Sequence, residues 1–387
     1  MRKSLISRVL ELDLPKGKSL FLWGVRKTGK STYLRKRYPD SVYIDLLQNG
    51  VFIEYNSRPS LIREQVKSFN LESPIIIDEI QKVPELLDEI HWMIENIDDI
   101  SFIMCGSSMR RIKHSGANLL GGRAWRQNFM PLCFPEIENF DLLKIFNCGL
   151  IPEHHLQKDD SIRTIKSYIS EYLIPEIQWE SRIRNFNAFS RFLDAIAFSN
   201  GEMVNYSNIA RECGIDAKTV QSYMNLLQEM MLGYLVFPYA KSESREIISR
   251  MPKFYFFDTS IPNALMNKSI SSLKGADAGH SLEHYIFLEL LSYREINRKY
   301  YNINYWRTKS GLEVDFILDR GRIAIEVKIS ECVDKKDLKG IIAFAKEHSP
   351  ERAIVVSLDS KKRHLEDGIE IYPIQEFLQE LWSGKVF

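Results

Sequence analysis

Two short stretches place reactive residue types at spacings that do chemistry. The first, GVRKTGKS, runs from Gly24 to Ser31 and fits the pattern G-x-x-x-x-G-K-[ST]. Glycines at its two ends let backbone N–H groups turn inward around phosphate oxygens. A helix opening near Lys30 would point its positive end at the same oxygens. Gly24, Val25, Arg26, Lys27, Thr28, Gly29, Lys30, Ser31 and Thr32 therefore form the candidate cradle for ATP. Lys30 would reach the β- and γ-phosphates and Ser31 would bind Mg²⁺. Downstream, PIIIDEI ends an apolar run in two carboxylates. Asp78 is the candidate for the Mg²⁺ shell, and Glu79 for the base that activates water. A base favours hydrolysis over nucleotide binding alone. SFIMCGSS ends in hydroxyls, so Ser107 or Ser108 is a candidate γ-phosphate sensor, with a plain strand-end turn as the alternative. Arg123 is a candidate for stabilising transition-state charge, within its own chain or across subunits of a homo-oligomer. A surface ion pair is the alternative there.

The second stretch, GLEVDFILDRGRIAIEVKIS, spans Gly311 to Ser330 and reads as two strands joined at Arg320-Gly321. Side chains alternate along a strand, so Glu326 and Lys328 share one face, opposite Ile323, Ile325, Val327 and Ile329. A two-residue turn would pair Leu318 with Ile323 and set Asp315 against Glu326. Arginine is a poor residue for the first position of such a turn. Opposed carboxylates repel at this range, and a cation between them would relieve the repulsion. Asp315 and Glu326, with Glu283 from the preceding helix, are thus candidate ligands for Mg²⁺ or Mn²⁺. Lys328 would steady the attacking water or the developing phosphate charge. The alternative is an inert cluster in which Lys328 pairs with both acids.

Two weaker signals concern histidine. HSLEH (280–284) matches an inverted zinc-peptidase pattern, with His280 and His284 one helical turn apart. The apolar neighbours Leu282, Tyr285 and Ile286 favour an ordinary helix instead. His154-His155 stands among polar residues and is expected to face solvent. Between these regions, NIARECGIDAKTVQSYMNLLQEM has a helix-turn-helix arrangement. Gly214 makes the turn, Asp216 caps the second helix, and Val220 packs it. Lys218, Gln221 and Ser222 would face outward, making DNA a candidate partner. A packing or protein-contact module is the alternative.

The elements that position these residues are legible in outline. SLFLWG, SVYIDL, PIIIDEI and SFIMCG read as strands buried on both faces and alternate with helical patterns, which implies a parallel α/β sheet. A helical region follows from about residue 141 to 200, with a loop at 199–205. Another helical segment runs to about Tyr234, then KFYFFD reads as a strand. SSLKGADAG (271–279) reads as a linker, and the rest as helix, hairpin, helix, strand. The expected domains are 1–140, 141–200, 201–270 and 271–387. A chain of 387 residues is too long for one core. A balance of 52 basic and 51 acidic residues, net +1, does not support a dedicated nucleic-acid coat but leaves room for a local basic patch. Five scattered cysteines point to free thiols in a reducing cytoplasm. The start lacks the apolar core of a signal peptide, and no apolar run is long enough to span a membrane.

Together these stretches resemble a large prokaryotic family of AAA-type P-loop ATPases with a C-terminal domain of uncharacterised function. The resemblance is carried by LFLWGVRKTGKSTYL, IIIDEIQKVPELL, IMCGSS, LLGGRAWRQNFMPLCFPE, YLIPEI, MPKFYFFDTSI and YWRTKSGLEVDFIL with IAIEVK. It implies an α/β fold in three parts. A P-loop NTPase (AAA-like) parallel sheet with a helical lid comes first. A winged-helix-like domain follows, and then a restriction-endonuclease-like domain similar to PD-(D/E)XK nucleases. It further implies Lys30, Ser31, Asp78 and Glu79 as the ATPase set and Glu283, Asp315, Glu326 and Lys328 as the nuclease-like set. Two functions are in view. One is an ATPase coupled to a DNA-binding or nuclease-like module. The other is a nucleotide-switched interaction ATPase with a silent nuclease-like fold.

Overall fold

The computed structural model describes residues 6–115, 120–157, 161–181, 183, 185–240 and 251–387. It divides into two compact units. One is built on Met1–Pro131 with Trp179–Ser181 and Glu229–Met231, the other on Leu132–Gln178, Arg182–Gln228 and Leu232–Phe387.

The first unit is an α/β layer around five strands, β1 (Ser19–Trp23), β2 (Tyr43–Asp45), β3 (Ile75–Asp78), β4 (Phe102–Gly106) and β5 (Ala124–Asn128), in the order β2-β3-β4-β1-β5. Every pair is parallel. Alternation puts Phe21, Trp23, Ile75, Ile77, Phe102 and Met104 into one buried cluster. Leu20, Leu22, Ile76 and Ile103, on the other face, are buried too. A sheet covered on both sides produces the unbroken apolar runs seen in the sequence. β5 is the strand those runs do not announce. It lies at the sheet edge with Trp125 and Arg126 exposed, so no continuous apolar run marks it.

The second unit centres on an eight-stranded mixed sheet. Its strands are β6 (Gly233–Pro238), β7 (Lys253–Phe256), β8 (Ile303–Arg307), β9 (Glu313–Leu318), β10 (Ile323–Val327), β11 (Arg352–Ser357), β12 (Arg363–His364) and β13 (Ile369–Pro373). Their order is β12-β13-β11-β10-β9-β8-β6-β7. Several expectations change here. The helical segment expected to reach Tyr234 ends at Glu229, and Gly233 to Pro238 is a strand. Gly233 permits it: a Cβ there would lie 2.3 Å from the Phe254 ring on β7. The stretch 271–279 is not a linker throughout, because the helix Gly275–Ile296 starts inside it. The sheet also crosses the boundary expected at 270/271, since β6 and β7 are hydrogen-bonded into the sheet that holds the hairpin. Strands β8, β12 and β13 are additional to the helix-hairpin-helix-strand outline.

The hairpin keeps its expected register, with Leu318 opposite Ile323. The connection is longer than the two-residue turn expected: the strands stop at Leu318 and Ile323, and Asp319, Arg320 and Gly321 have φ of +46°, +57° and +93°. Tyr239 donates its hydroxyl to the Arg320 carbonyl oxygen at 3.0 Å, helping to hold an arginine where glycine or asparagine is usual.

Upstream, helices Tyr206–Cys213 and Ala217–Glu229 meet at Gly214, whose φ is +66°. Asp216 accepts from the Thr219 N–H at 2.9 Å, and Val220 is buried. Lys218, Gln221 and Ser222 are exposed.

His154 and His155, expected in solvent, are buried in the short helix Pro152–His155. His155 Nδ1 lies 2.9 Å from the Gly149 carbonyl oxygen, and the His154 ring meets Tyr168 edge-on. The local polarity of the sequence misled because both rings find partners inside.

Asp258, just past β7, organises this region. One oxygen accepts from Leu150 N at 2.6 Å and Ile151 N at 3.1 Å, the other from Ser260 N at 2.9 Å and Ser260 Oγ at 2.6 Å. Asp258→Ala leaves three buried N–H groups without their acceptor. The expected cost is about 3 kcal/mol, read as a lowered urea midpoint at unchanged slope. An unchanged midpoint would show that the carboxylate is dispensable.

Candidate ATPase site and C-terminal acidic pocket

The loop Gly24 to Gly29 joins β1 to the helix Lys30–Arg37, as the motif requires. Gly24 is dictated by space, since a Cβ would lie 2.4 Å from the Phe129 carbonyl oxygen. Gly29 is dictated by its φ of +97°. Val25 and Thr28 are buried, Arg26 and Lys27 partly so, and Thr32 is exposed on the first turn of the helix. Thr28 Oγ1 closes the loop onto the Val25 carbonyl oxygen at 2.8 Å. The Lys30 side chain folds back into it, with Nζ 2.5 Å from the Gly24 oxygen and 3.1 Å from that of Val25. A buried ammonium held by backbone oxygens is suited to receive a phosphate anion.

Asp78 and Glu79 stand at the carboxyl end of β3, beside the loop. Ser31 Oγ donates to Asp78 Oδ2 at 2.6 Å. This hydroxyl and carboxylate are oxygen donors that fit Mg²⁺. Tyr43 donates to the same carboxylate oxygen at 2.5 Å, and the Cys105 thiol to the other at 2.7 Å. Burial, then the Asp78 charge, raises both Tyr43 and Cys105, so both stay neutral donors. Glu79 has φ +62°, a left-handed conformation that non-glycine residues seldom adopt outside sites that demand it. Its Oε2 accepts from Gln81 Nε2 at 2.6 Å and lies 3.7 Å from Arg26. Gln81 also donates to Ser107 Oγ at 3.1 Å, tying the base candidate to the sensor candidate. Ser108 instead accepts from the Arg110 N–H.

Arg123 is not gathered into this site. It pairs with Glu95 and with the Gly121 carbonyl oxygen on an exposed surface. The surface ion pair is therefore its role within this chain. Four contributors escaped the sequence reading: Tyr43, Gln81, Cys105 and Arg8. Arg8 donates to the Thr28 carbonyl oxygen at 2.8 Å and to that of Met130 at 2.7 Å, bracing the loop from the segment before β1.

In the second unit two of the hairpin's charges do not face water: Asp315 is 8% and Glu326 5% exposed. Beyond the Phe316–Ile325 pair, Asp315 Oδ2 accepts the Val327 N–H at 2.8 Å in place of a backbone rung. Glu283 joins Asp315 as expected, but around a residue the sequence reading missed. Lys253 Nζ, from β7, lies 2.9 Å from Glu283 Oε1, 2.5 Å from Glu313 Oε1 and 3.8 Å from Asp315 Oδ1. Tyr255 donates to Glu283 at 2.5 Å, and Lys328 pairs with Glu326 alone at 2.5 Å.

Burial pushes Asp315 well above the usual carboxylate range, with Glu283 and Glu326 adding to the push. It raises Glu326 to about 7 although Lys328 opposes it. Lys253 holds Glu283 below its ordinary value against burial. Lys253 itself, which burial alone would lower, is raised well above the lysine range, Glu283 foremost. Among the described residues no group of three or more His, Cys, Asp or Glu side chains stands ready to hold a metal ion. The expected ligands converge, but on an ammonium.

The zinc reading of HSLEH does not hold. His284 is buried, with Nε2 2.6 Å from the Phe256 carbonyl oxygen and Nδ1 3.2 Å from Asn200 Nδ2, so both nitrogens are engaged. Burial lowers it to about 4. His280 is exposed, 3.7 Å from Glu202.

Three family models match successive parts of the chain. Residues 16–138 match the model of an AAA domain. Residues 139–272 match a domain of unknown function (DUF8612). Residues 278–377 match another (DUF4143). Two relatives are uncharacterized proteins of Methanocaldococcus jannaschii. MJ1544 is 23% identical over 381 residues, covering 87% of this chain and 81% of the relative. MJ1637 is 23% identical over 397 residues, covering 88% and 81%. Among the described residues no helix is long and apolar enough to cross a membrane. The parallel sheet, the phosphate loop and the family match support an AAA-type P-loop ATPase domain at residues 16–138.

Proposed function

We propose that this chain is a Mg²⁺-dependent ATPase whose nucleotide cycle governs a DNA-binding C-terminal half. The observation that carries the ATPase reading is the 2.6 Å bond between Ser31 and Asp78, with Glu79 next in sequence. Ser31 and Asp78 would hold Mg²⁺ between them, which when bound neutralises phosphate charge. Lys30 leaves the loop carbonyls for the γ-phosphate, and Glu79 takes the proton of the attacking water. Gln81 keeps Glu79 aligned and links it to Ser107. The DNA reading draws on the winged-helix-like segment, whose exposed Lys218, Gln221 and Ser222 lie on one helix.

One experiment addresses both parts. Phosphate release from ATP is measured with and without Mg²⁺, and with and without duplex DNA. Turnover that needs Mg²⁺ and changes when DNA is added is the expected result. Absence of Mg²⁺-dependent turnover would remove the ATPase reading. Indifference to DNA, together with no DNA binding, would remove the second part. A different account of the PD-(D/E)XK-like pocket has its own support: the ATPase switches an interaction module whose nuclease-like fold is silent. Lys253 among the carboxylates favours it.

A further inference from the structure

We infer that the acidic pocket is a cation site filled by the protein itself, with the Lys253 ammonium taking the place a divalent ion would need. The inference rests on the silent reading of the pocket and goes beyond it by naming the residue responsible.

The carboxylates come from three elements. Glu283 lies on the helix Gly275–Ile296, Glu313 and Asp315 on β9, and Glu326 on β10. Four acids in one pocket require compensating charge, because uncompensated buried carboxylates are costly. Lys253 touches two of them directly and faces a third, with its side chain 4% exposed. Arg307 adds a bond to the outer oxygen of Glu313 at 3.0 Å, and Lys328 covers Glu326.

The lysine is held from both sides. Its backbone pairs with Val236 on β6 and bridges to Met203, and Val204 donates to the Pro252 carbonyl oxygen at 2.8 Å. A charge tethered this way competes at a high effective concentration with any free cation. Little ligand capacity is left over. Asp315 Oδ2 is occupied by the Val327 N–H and Glu326 Oε1 by Lys328, leaving Glu326 Oε2 as the buried oxygen of this pair without a partner. One such oxygen does not meet the coordination demand of Mg²⁺ or Mn²⁺.

The test uses full-length protein and Mn²⁺ without nucleotide, followed by calorimetry and thermal unfolding. Wild type should show no Mn²⁺ site that Asp315→Asn removes. Lys253→Ala should gain one, with Mn²⁺ affinity at the pocket raised by roughly tenfold or more, and Mn²⁺ should raise its melting temperature. Should Lys253→Ala fail to fold in metal-free buffer, Lys253→Gln replaces it. That variant keeps N–H donors without the charge, and the same gain is expected. An Asp315-dependent site in wild type would overturn the inference. So would folded Lys253 variants that take up no Mn²⁺. A parallel assay of DNA and RNA cleavage with Mn²⁺ keeps the two ideas apart. Cutting lost in Lys328→Ala would sink the silent reading, whereas Asp315-dependent metal uptake by the wild type without cutting would sink only the assignment of Lys253.

Discussion

Lys30→Ala is expected to abolish ATP turnover, lowering kcat/KM by roughly 10²–10³ or more. It is also expected to weaken nucleotide binding. Lys30 is 6% exposed and is the buried cation of the loop, where Arg26 and Lys27 are only partly buried. Its present partners, the Gly24 and Val25 carbonyl oxygens, lie in the loop that would receive the phosphates. Exchange of neutral carbonyls for phosphate oxygens gives a stronger, charge-assisted bond. Alanine removes that gain and takes the lysine donor away from the Gly24 carbonyl oxygen, whereas that of Val25 keeps Thr28 Oγ1. Phosphate release by wild type and variant, with a nucleotide titration alongside, measures both effects. Equal turnover in the two proteins would refute the assignment.

Much of the ATPase site was legible because its motif is contiguous. Gly24 to Ser31 is one loop, and each residue's type answers a local demand, a close carbonyl at Gly24 and a left-handed φ at Gly29. The residues that escaped are those the sheet brings in from elsewhere. Tyr43 and Cys105 sit on β2 and β4, the two neighbours of β3, and each reaches Asp78 only because of that strand order. Read alone, each belongs to an apolar run and looks like core. Gln81 lies only three residues beyond Asp78, and the turn at Glu79 aims it back toward Ser107.

The C-terminal pocket shows the same limit more sharply. The alternation reading matches the Leu318–Ile323 register, and the expected Asp315–Glu326 pair is not part of the ladder, which ends at Phe316–Ile325. It said nothing of Lys253, which belongs to a strand whose other residues, Phe254, Tyr255 and Phe256, are buried aromatics. The lysine reaches Glu313 and Asp315 although β6 and β8 stand between β7 and β9 in the sheet order, a meeting that no local pattern encodes. Clustered carboxylates read as a metal site from sequence alone, because Lys253 lies far from them along the chain. The histidines failed for a related reason. HSLEH carries ligand spacing, but His284 spends both nitrogens on Phe256 and Asn200.

Glu79→Gln should separate binding from chemistry where Lys30→Ala does not. The substitution preserves size and keeps an oxygen that can accept from Gln81 Nε2, now 2.6 Å away. The backbone at φ +62° is no harder for glutamine than for glutamate. What disappears is the negative charge that would accept a proton from water and that now lies 3.7 Å from Arg26. A general base contributes about 10²–10⁴ in rate, so kcat should fall by roughly that factor. ATP affinity should stay within about threefold of wild type, because the groups that would meet the phosphates and Mg²⁺ are untouched. Single-turnover hydrolysis beside equilibrium binding of ATP reads the two quantities independently. A variant that turns over ATP at the wild-type rate would show that Glu79 is not the base. Loss of ATP binding in parallel with kcat would mean that the carboxylate serves to shape the loop through Gln81 and Arg26. Lost chemistry with retained binding is the result that a base held at the end of β3 requires.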